Sequence, residues 1–447
     1  MARPPLPKMG GVSVAPPSAA PMVRAGSGLA PDAALGAAGR AAAMAPVFGV
    51  RRPLVGCSGA VAAFEFSLPG ALQQRLNSRS DPVSLAAYQS ALVAAARPVM
   101  ETSRRALMRV SADVLARPGW AAQIPAHAML VVDDLARVPE ATVLALRRAG
   151  AHLGVPDGPP AAAAPADFVW MDATAAGDID TLMLSAQCWL EVRPRVARLA
   201  CGLANVEDVE RVLRAGFLLA GGQLDRPAGP PPARALNTAA HRICELLNHL
   251  ALDHELSVVG EAVRGDVALS YRLLRYANSP AIGLTRGVDT VEQAVMVLGR
   301  NELVRWLSVM LMSAADGRHV SQALQENALA RGRLLELLAQ RQGEPSPSAL
   351  FSVGVFSMME VLLQSPLATV LAPLRLSEPA VQALLHRQGP WADYLHLSAA
   401  LDGNDSARLE AVAVRWGGAN PVLDMAAQAW SWASAMASSA TAAPPAR

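Results

Sequence analysis

The stretch that decides the fold runs from Leu269 to Gly299 and reads LSYRLLRYANSPAIGLTRGVDTVEQAVMVLG. Its first part has apolar residues at helical spacing, which predicts a short amphipathic helix with Asp266 as its N-cap. One face of this helix carries Leu269, Leu273, Leu274 and Ala277. Pro280 ends the helix, because the residue before a proline is pushed out of the helical region of backbone angles.

The second part of the stretch predicts another short helix. Thr290 and Gln293 have the spacing of a capping box at its start. Its buried stripe comprises Val291, Ala294, Val295 and Leu298. Gly299 stands where a helix end needs a left-handed residue, and Asn301 begins a third helix.

The order of these pieces resembles the signature of the HDOD module. The matching residues are Leu274, Asn278, Ser279, Pro280, Ala294, Leu298 and Gly299. The module is a helical bundle found in bacterial signalling proteins, related to HD-type phosphohydrolases but without their metal-binding residues. The resemblance therefore implies a non-catalytic helical domain.

Composition bounds what the chain can do. Its 447 residues suffice for two or three domains, and the formal charge of +2 gives no global field for nucleic acids or membranes. Lys8 is the only lysine, which excludes a lysine-dependent reaction in a folded core unless the N-terminal tail supplies it. The sequence contains no apolar run of about 18 residues, so we expect no membrane span. Its N-terminus lacks the charged-then-apolar order of a signal peptide. We expect a cytoplasmic protein.

The four cysteines lack the CxxC spacing of a zinc site. We therefore interpret Cys57, Cys188, Cys201 and Cys244 as small apolar core residues in a reducing compartment. No cofactor is predicted.

The chain divides into five parts by composition. Residues 1–45 are an Ala/Pro/Gly-rich tail predicted to be disordered. Residues 46–228 form an α/β domain. The proline-rich run Arg226–Asn237 marks a linker, which we place at 229–238. Residues 239–437 are all-α, and 438–447 form a frayed tail.

In the α/β domain, apolar runs alternate with helical segments, which favours a mostly parallel sheet covered by helices, either a barrel or a doubly wound sheet. The predicted strands are Val61–Phe66, Leu107–Val110, Ala128–Val132, Phe168–Met171 and Val196–Cys201. The predicted helices are Ser84–Ala96, Pro139–Ala149, Thr181–Leu190 and Val206–Arg214. A full eightfold barrel usually takes roughly 250 residues, so this shorter domain predicts an incomplete TIM-like barrel.

The end of this domain, LACGLANVEDVERVLRAGFLLAGGQLDRP from Leu199 to Pro227, resembles the EAL domain. In its active form that domain is a barrel that hydrolyses cyclic di-GMP with two metal ions. HDOD modules frequently follow such a domain. The resemblance thus implies an EAL-type barrel followed by an HDOD helical bundle.

The resemblance also implies that most of the metal site is lost. Glu65 matches the first ligand position, but Arg109 stands where the family has an asparagine. Asp157 is alone where the family has paired aspartates, and Trp170 replaces the lysine. Asp172 is kept, whereas the region around Ala204 lacks the late glutamate. Arg109 would place a fixed positive charge among the expected metal ligands.

The helical domain offers no alternative metal site. The sequence contains no His-Asp pair, and the cluster His249, Asp253 and His254 provides too few ligands in the right order, which favours a solvated or capping role. Its arginines are matched by acidic residues, so we expect no nucleic-acid binding.

Together these features predict a scaffold that regulates signalling by binding other proteins and does not catalyse a reaction. A cyclic di-GMP receptor without hydrolysis is the alternative, and an active phosphodiesterase is favoured least. The partner proteins and the possibility of a homodimer stay open.

Overall fold

A closed barrel of eight strands forms the N-terminal half of the computed structural model. The structure describes residues 49–68, 82–160, 165–232, 235–279, 282–284, 286–314, 317–403 and 406–441. The strands are β1 Val50–Gly56, β2 Val61–Ser67, β3 Arg105–Val110, β4 Ala128–Val132, β5 His152–Pro156, β6 Phe168–Asp172, β7 Ala197–Leu203 and β8 Leu219–Gly222. The first strand pairs antiparallel with both β2 and β8, and the others pair parallel.

Helices surround this barrel. They are α1 Pro82–Glu101, α2 Ala112–Leu115, α3 Glu140–Arg148, α4 Ala173–Ala176, α5 Ile179–Val192 and α6 Val206–Arg214. No helix is described between β5 and β6. One cluster of buried side chains fills the barrel interior, and a larger one lies between the strands and the helices. The TIM-like architecture is thereby confirmed.

The predicted incompleteness of the barrel was wrong for the strands. Three strands, β1, β5 and β8, escaped prediction because their sequences break the usual patterns. Strand β1 (VRRPLVG) contains two arginines and a proline, β5 (HLGVP) a glycine and a proline, and β8 (LAGG) is short with two glycines. The five predicted strands are all present, although all of them except β4 are longer than expected.

The second half is helical. Its helices are α7 Thr238–Ala251, α8 Leu256–Arg264, α9 Val267–Ala277, α10 Val291–Ser313, α11 Ser321–Gln342, α12 Pro347–Phe356, α13 Met359–Leu363, α14 Leu367–Leu371, α15 Glu378–Val381, α16 Ala392–Asp402, α17 Ser406–Ala413 and α18 Ala419–Thr441. Residues 438–441, expected to be frayed, belong to α18. The predicted tail 1–45 and residues 442–447 lie outside the described residues.

Helix α9 and the start of α10 form as their sequence predicts. The Asp266 carboxylate accepts hydrogen bonds from the backbone N–H groups of residues 268 and 269, both at 3.0 Å. The Thr290 hydroxyl accepts one from the Gln293 N–H at 3.2 Å. Gly299 interrupts α10 with φ 68° and ψ 176°, a conformation that is essentially confined to glycine. The predicted helix break at this residue is confirmed.

The barrel and the helices pack directly against each other. The β1–β2 turn lies against the start of α11, where the Ala323 N–H donates to the Gly59 carbonyl at 3.0 Å. The Phe64 ring of β2 meets the edge of Trp430 on α18 at 5.1 Å between centroids. All described residues belong to one compact unit. The helical half therefore covers part of the barrel surface and packs directly against it.

The cysteines correct one expectation. Cys201 and Cys244 are buried, as predicted for small apolar core residues. Cys57 and Cys188 are exposed, so the interpretation was wrong for them. Cys57 follows β1 in a turn and Cys188 lies on an outer face of α5. Their position in the sequence carries no signal that separates them from the buried pair.

Candidate functional site at the barrel mouth

The alternation of side chains along the strands places several predicted residues at one end of the barrel. Buried interior side chains such as Leu107 and Phe168 fill its middle. Two residues further along the same strands are Arg109 and Trp170, which face the same way because successive strand residues alternate. On β2, Glu65 lies two residues after the interior residue Ala63 and pairs with Leu107 of β3. This is the end at which barrel enzymes carry their active sites.

A cavity of about 580 Å³ opens at this mouth. Of the predicted residues, Glu65, Trp170, Asp172 and Ala204 line it. Its ionisable lining comprises five carboxylates and one guanidinium group, from Glu65, Asp172, Asp178, Asp208, Asp402 and Arg52. The mouth is therefore acidic on balance.

Glu65 is the most deeply placed of these carboxylates. Only 15% of its side chain is exposed, and the nearest cation is Arg52, with Nη1 3.9 Å from Oε2. Burial raises the pKa of Glu65, and the charge of Asp172 raises it further, while Arg52 and Arg109 lower it. The rise in the pKa means that burial outweighs the two cations.

Arg109 and Trp170 form a pair. The Arg109 guanidinium carbon lies 4.8 Å from the centroid of the indole ring, a cation–π distance. Trp170 is 7% exposed, whereas Arg109 is exposed at the mouth. Beside them, burial raises the pKa of Cys201 well above its ordinary value, so the thiol stays protonated.

Asp157 and Asp172 make local structural hydrogen bonds. Asp157 accepts from the Ser185 hydroxyl at 2.8 Å and from the Trp189 indole N–H at 2.9 Å, both on α5. Asp172 caps α4 by accepting from the Thr174 N–H at 2.9 Å. Asp157 is thus directed to a helix, whereas Asp172 caps a helix and also lines the cavity.

The helical half contributes residues that sequence reasoning missed. Arg52 donates two hydrogen bonds to the Gly403 carbonyl, at 2.8 and 3.2 Å. Arg331 of α11 forms ion pairs with Asp225 and with the cavity residue Asp402. These partners lie 71 to 351 positions apart, so no sequence spacing could have indicated the contacts.

Arg331 and its two carboxylates change one another's pKa values. The carboxylates of Asp225 and Asp402 raise the pKa of Arg331 against the effect of its burial. Although burial alone would raise the pKa of Asp225, Arg331 holds it below its ordinary value. Burial raises the pKa of Asp402 despite the same arginine.

The residues of the helical signature serve the local fold. The Asn278 amide N–H donates to the carbonyls of Leu274 at 2.9 Å and of Val288 at 2.8 Å, and its oxygen accepts from the Val288 N–H at 2.8 Å. Ala294 is fully buried, and Leu298 packs against the core. Ser279 lies beside Asn278, while Pro280 falls outside the described residues.

The histidine cluster lies at the end of α7. The Nδ1 atoms of His249 and His254 are 2.8 Å apart, and Arg300 lies 3.5 Å from Asp253. Within the described ranges, no three His, Cys, Asp or Glu side chains are grouped so that they could share a metal ion. Nor does any helix in these ranges combine the length and apolar character needed to cross a membrane.

Comparison with known proteins places a family model, the HDOD domain, on residues 234–368. The uncharacterized protein YuxH of Bacillus subtilis is 27% identical over 202 residues, 44% of this chain and 49% of that protein. The cyclic di-GMP phosphodiesterase CdgJ of Vibrio cholerae is 26% identical over 148 residues, 33% of this chain and 34% of that protein. The chain thus matches about half of the first relative and a third of the second.

Solved structures are similar to the barrel half. Klebsiella pneumoniae BlrP1, in a calcium and cyclic di-GMP complex, has a TM-score of 0.33 and 15% identity over 40% of this chain and 54% of that chain. The FimX EAL domain of Xanthomonas citri, in complex with cyclic di-GMP, has a TM-score of 0.33 and 13% identity over 41% of this chain and 88% of that chain.

Proposed function

Because residues 234–368 form an HDOD domain, we propose that the protein is a non-catalytic scaffold of bacterial cyclic di-GMP signalling. It works in the cytoplasm and acts by binding other proteins through its HDOD domain and its EAL-like barrel. We thus place this chain in cyclic di-GMP signalling, as its relative CdgJ suggests, but assign it no hydrolysis.

The charge of the barrel mouth is the observation that carries the proposal. Five carboxylates face one guanidinium group around the cavity. Cyclic di-GMP is an anion, and carboxylates repel its phosphates unless bound cations neutralise them. Arg52 and Arg109 both act on Glu65, and their fixed positive charges oppose a divalent cation at that carboxylate.

The positions that carry hydrolytic groups in the EAL family also differ in this chain. The described residues contain no lysine, since Lys8 is the only one in the sequence, so none can position an attacking water. The side chain at 170 is an indole stacked with Arg109. Asp157 is engaged by Ser185 and Trp189. These three features support the assignment of no hydrolysis, since two-metal hydrolysis requires metal ligands and a group that positions the attacking water.

Exposed apolar side chains support protein binding by the HDOD domain. On α9, Val267 and Tyr271 are 85% and 59% exposed and lie four residues apart, on one helical face. On α10, Met296 is 69% exposed. Large apolar side chains that remain in water are typical of surfaces that bind other proteins.

A receptor that binds cyclic di-GMP without cleaving it is the second candidate. The volume of the mouth cavity supports it, because ligand pockets commonly measure about 300–1,000 Å³. The acidic lining opposes it. The two functions differ in a single measurable quantity, the affinity of the intact chain for the nucleotide.

The test is calorimetric titration of cyclic di-GMP into the full chain with Mg²⁺ and then with Mn²⁺, followed by chromatography of the nucleotide. We expect neither saturable heat nor cleaved product, with an active EAL phosphodiesterase as the positive control. Heat with intact nucleotide would establish the receptor instead. Cleaved nucleotide would overturn the non-catalytic assignment.

A further inference from the structure

A second cavity, of about 40 Å³, lies where strand β1 meets the helical half. Strand β1 contributes Arg51, and helices α11, α16 and α18 supply most of the remaining lining. Small-molecule sites commonly measure about 300–1,000 Å³, whereas a single water needs only about 10–15 Å³. The cavity therefore has room for a water or a small ion and is too small for a nucleotide.

Arg51 is a cation without a carboxylate of its own. Its guanidinium carbon lies 3.7 Å from the centroid of the Phe64 ring, and that of Arg104 lies 5.7 Å from the same centroid. Among the described residues, none forms a hydrogen bond or an ion pair with the Arg51 side chain, and its Nε atom is buried. The nearby carboxylate of Glu326 is engaged by Arg104, which donates to its two oxygens at 2.6 and 3.1 Å. Two guanidinium groups thus share a single carboxylate.

The surroundings of Arg51 are short of negative charge. Burial, followed by the charge of Arg104, lowers the pKa of Arg51 to about 9 against the opposing effect of Glu326. The carboxylate in the cavity lining, Asp402, is already paired with Arg331. A buried charge is costly unless it is both paired and hydrogen-bonded. A bound anion would supply the partner that the side chains around Arg51 do not.

Two further donors of the lining lack an acceptor. Asn327 is only 4% exposed, and its amide has no hydrogen-bond partner among the described residues. The Nε atom of Arg331 is buried and likewise has no partner in the part of the chain that the structure describes. Buried polar groups nearly always have a partner, which is a protein group, an ordered water or an ion. The donors of this cavity therefore require an acceptor inside it.

We propose that this cavity binds a small monovalent anion, chloride, between the guanidinium of Arg51 and the side-chain N–H of Asn327. An anion accepts the free hydrogen bonds and also offsets the surplus positive charge, whereas a water molecule does only the first. Arg51 belongs to the barrel and Asn327 to α11, so the anion would strengthen the contact between the two halves. This site goes beyond the scaffold function and needs no ligand at the barrel mouth.

The experiment compares thermal unfolding of the full chain in sodium chloride and in sodium gluconate at equal ionic strength, so that general screening is the same. We expect the melting temperature to rise with chloride concentration and then to level off, because a ligand of the folded state stabilises that state by mass action. Line broadening of the chloride NMR signal by the folded chain measures the binding directly.

R51Q removes the cation and should weaken chloride binding about tenfold or more. The matched control is R198Q, the same change at an arginine that lies 5.3 Å from the Phe217 ring centroid and lines neither this cavity nor the mouth. A second variant, N327D, keeps Arg51 and introduces a carboxylate beside the cavity. This carboxylate would pair with Arg51, so the folded N327D protein should no longer respond to chloride.

Two results would overturn the site. Equal melting temperatures in the two salts, with no broadening of the chloride signal, would mean that the cavity holds water alone. A chloride response that is equal in R51Q and R198Q, or that persists in N327D, would mean that chloride binds elsewhere on the protein. Neither measurement involves cyclic di-GMP, so failure of this proposal leaves the scaffold function to be decided by its own titration.

Discussion

The guanidinium of Arg331 lies 2.8 Å from a carboxylate oxygen of Asp225, joining the centre of α11 to the segment after the last barrel strand. Only 4% of the arginine side chain is exposed. A second carboxylate, from Asp402, completes the group at the edge of the mouth cavity. The barrel and the helical half are thereby connected by buried charges, which are sensitive to the loss of any partner.

Removing the arginine should destabilise the whole protein. R331A removes the arginine that forms ion pairs with both Asp225 and Asp402, and breaking a buried ion pair in this way costs about 3–5 kcal/mol. Chemical denaturation at pH 7 would measure the loss of unfolding free energy. R211A is the control, since the Arg211–Asp180 pair is exposed and such pairs contribute about 1 kcal/mol or less. Equal losses of unfolding free energy in R331A and R211A would show that the buried ion pairs of Arg331 stabilise the protein no more than an exposed pair does.

Replacing the turn glycine should also destabilise the contact between the halves. Gly59 has a φ of 78°, and a Cβ atom on this residue would lie 1.8 Å from the backbone oxygen of His319. Gly119 has nearly the same φ, 79°, with no atom within 4 Å. G119A should therefore cost only the backbone term of about 1–2 kcal/mol, while G59A should cost clearly more because backbone must move. Urea unfolding of both variants would compare them, and similar costs would contradict the close approach.

Glu65 should make stability depend on pH. Its pKa in the folded protein is raised above the ordinary 4.5, chiefly by burial. The protonated folded form is then favoured, so this contribution is complete below the unfolded pKa and is lost as pH rises through the folded pKa. E65Q, which stays uncharged, should melt at a higher temperature than the unaltered protein at pH 7.5 and at the same temperature at pH 4.

The control for that measurement is E101Q, at an exposed glutamate at the end of α1. Its melting temperature should differ little from that of the unaltered protein at either pH. A Glu65 variant that melts lower at pH 7.5 would mean that the carboxylate is stabilised by Arg52 more than it is penalised by burial.

Asn278 should have a structural role in the HDOD signature. N278A removes two hydrogen bonds that connect the end of α9 to Val288 and one to the Leu274 carbonyl, and it leaves the Val288 N–H unsatisfied. We expect a loss of about 1–3 kcal/mol of unfolding free energy. N301A is the matched control, because Asn301 is exposed and its side-chain oxygen lies 3.5 Å from the Ser348 hydroxyl. No difference between the two variants would count against this role.

The sequence was sufficient to predict those helices and strands whose structure depends on residues close to one another in the chain. Asp266 and Thr290 act as caps because their hydroxyl or carboxylate oxygens reach backbone N–H groups two or three residues away. The five strands with continuous apolar patterns were recognised, and the fold class followed from their alternation with helices. The missed strands are those in which proline, glycine or arginine interrupts the pattern.

The residues of the candidate site could be predicted only in part from the sequence. Glu65, Trp170, Asp172 and Ala204 do line one cavity, as their positions in the EAL-like pattern suggested. Asp157 does not line this cavity and accepts hydrogen bonds from Ser185 and Trp189 on α5. Arg109 lies against Trp170 at its rim.

By itself, the sequence determined the helices around Asn278 and Gly299, the barrel class and the presence of a tryptophan at position 170, since caps, apolar periodicity and residue identity are local properties. Tertiary structure alone decided the closure of the barrel and the ion pairs of Arg331 with Asp225 and Asp402. Those features depend on residues that are distant in the chain. Their contacts arise only when burial of the common core brings the two halves together, and no spacing in the sequence encodes that approach.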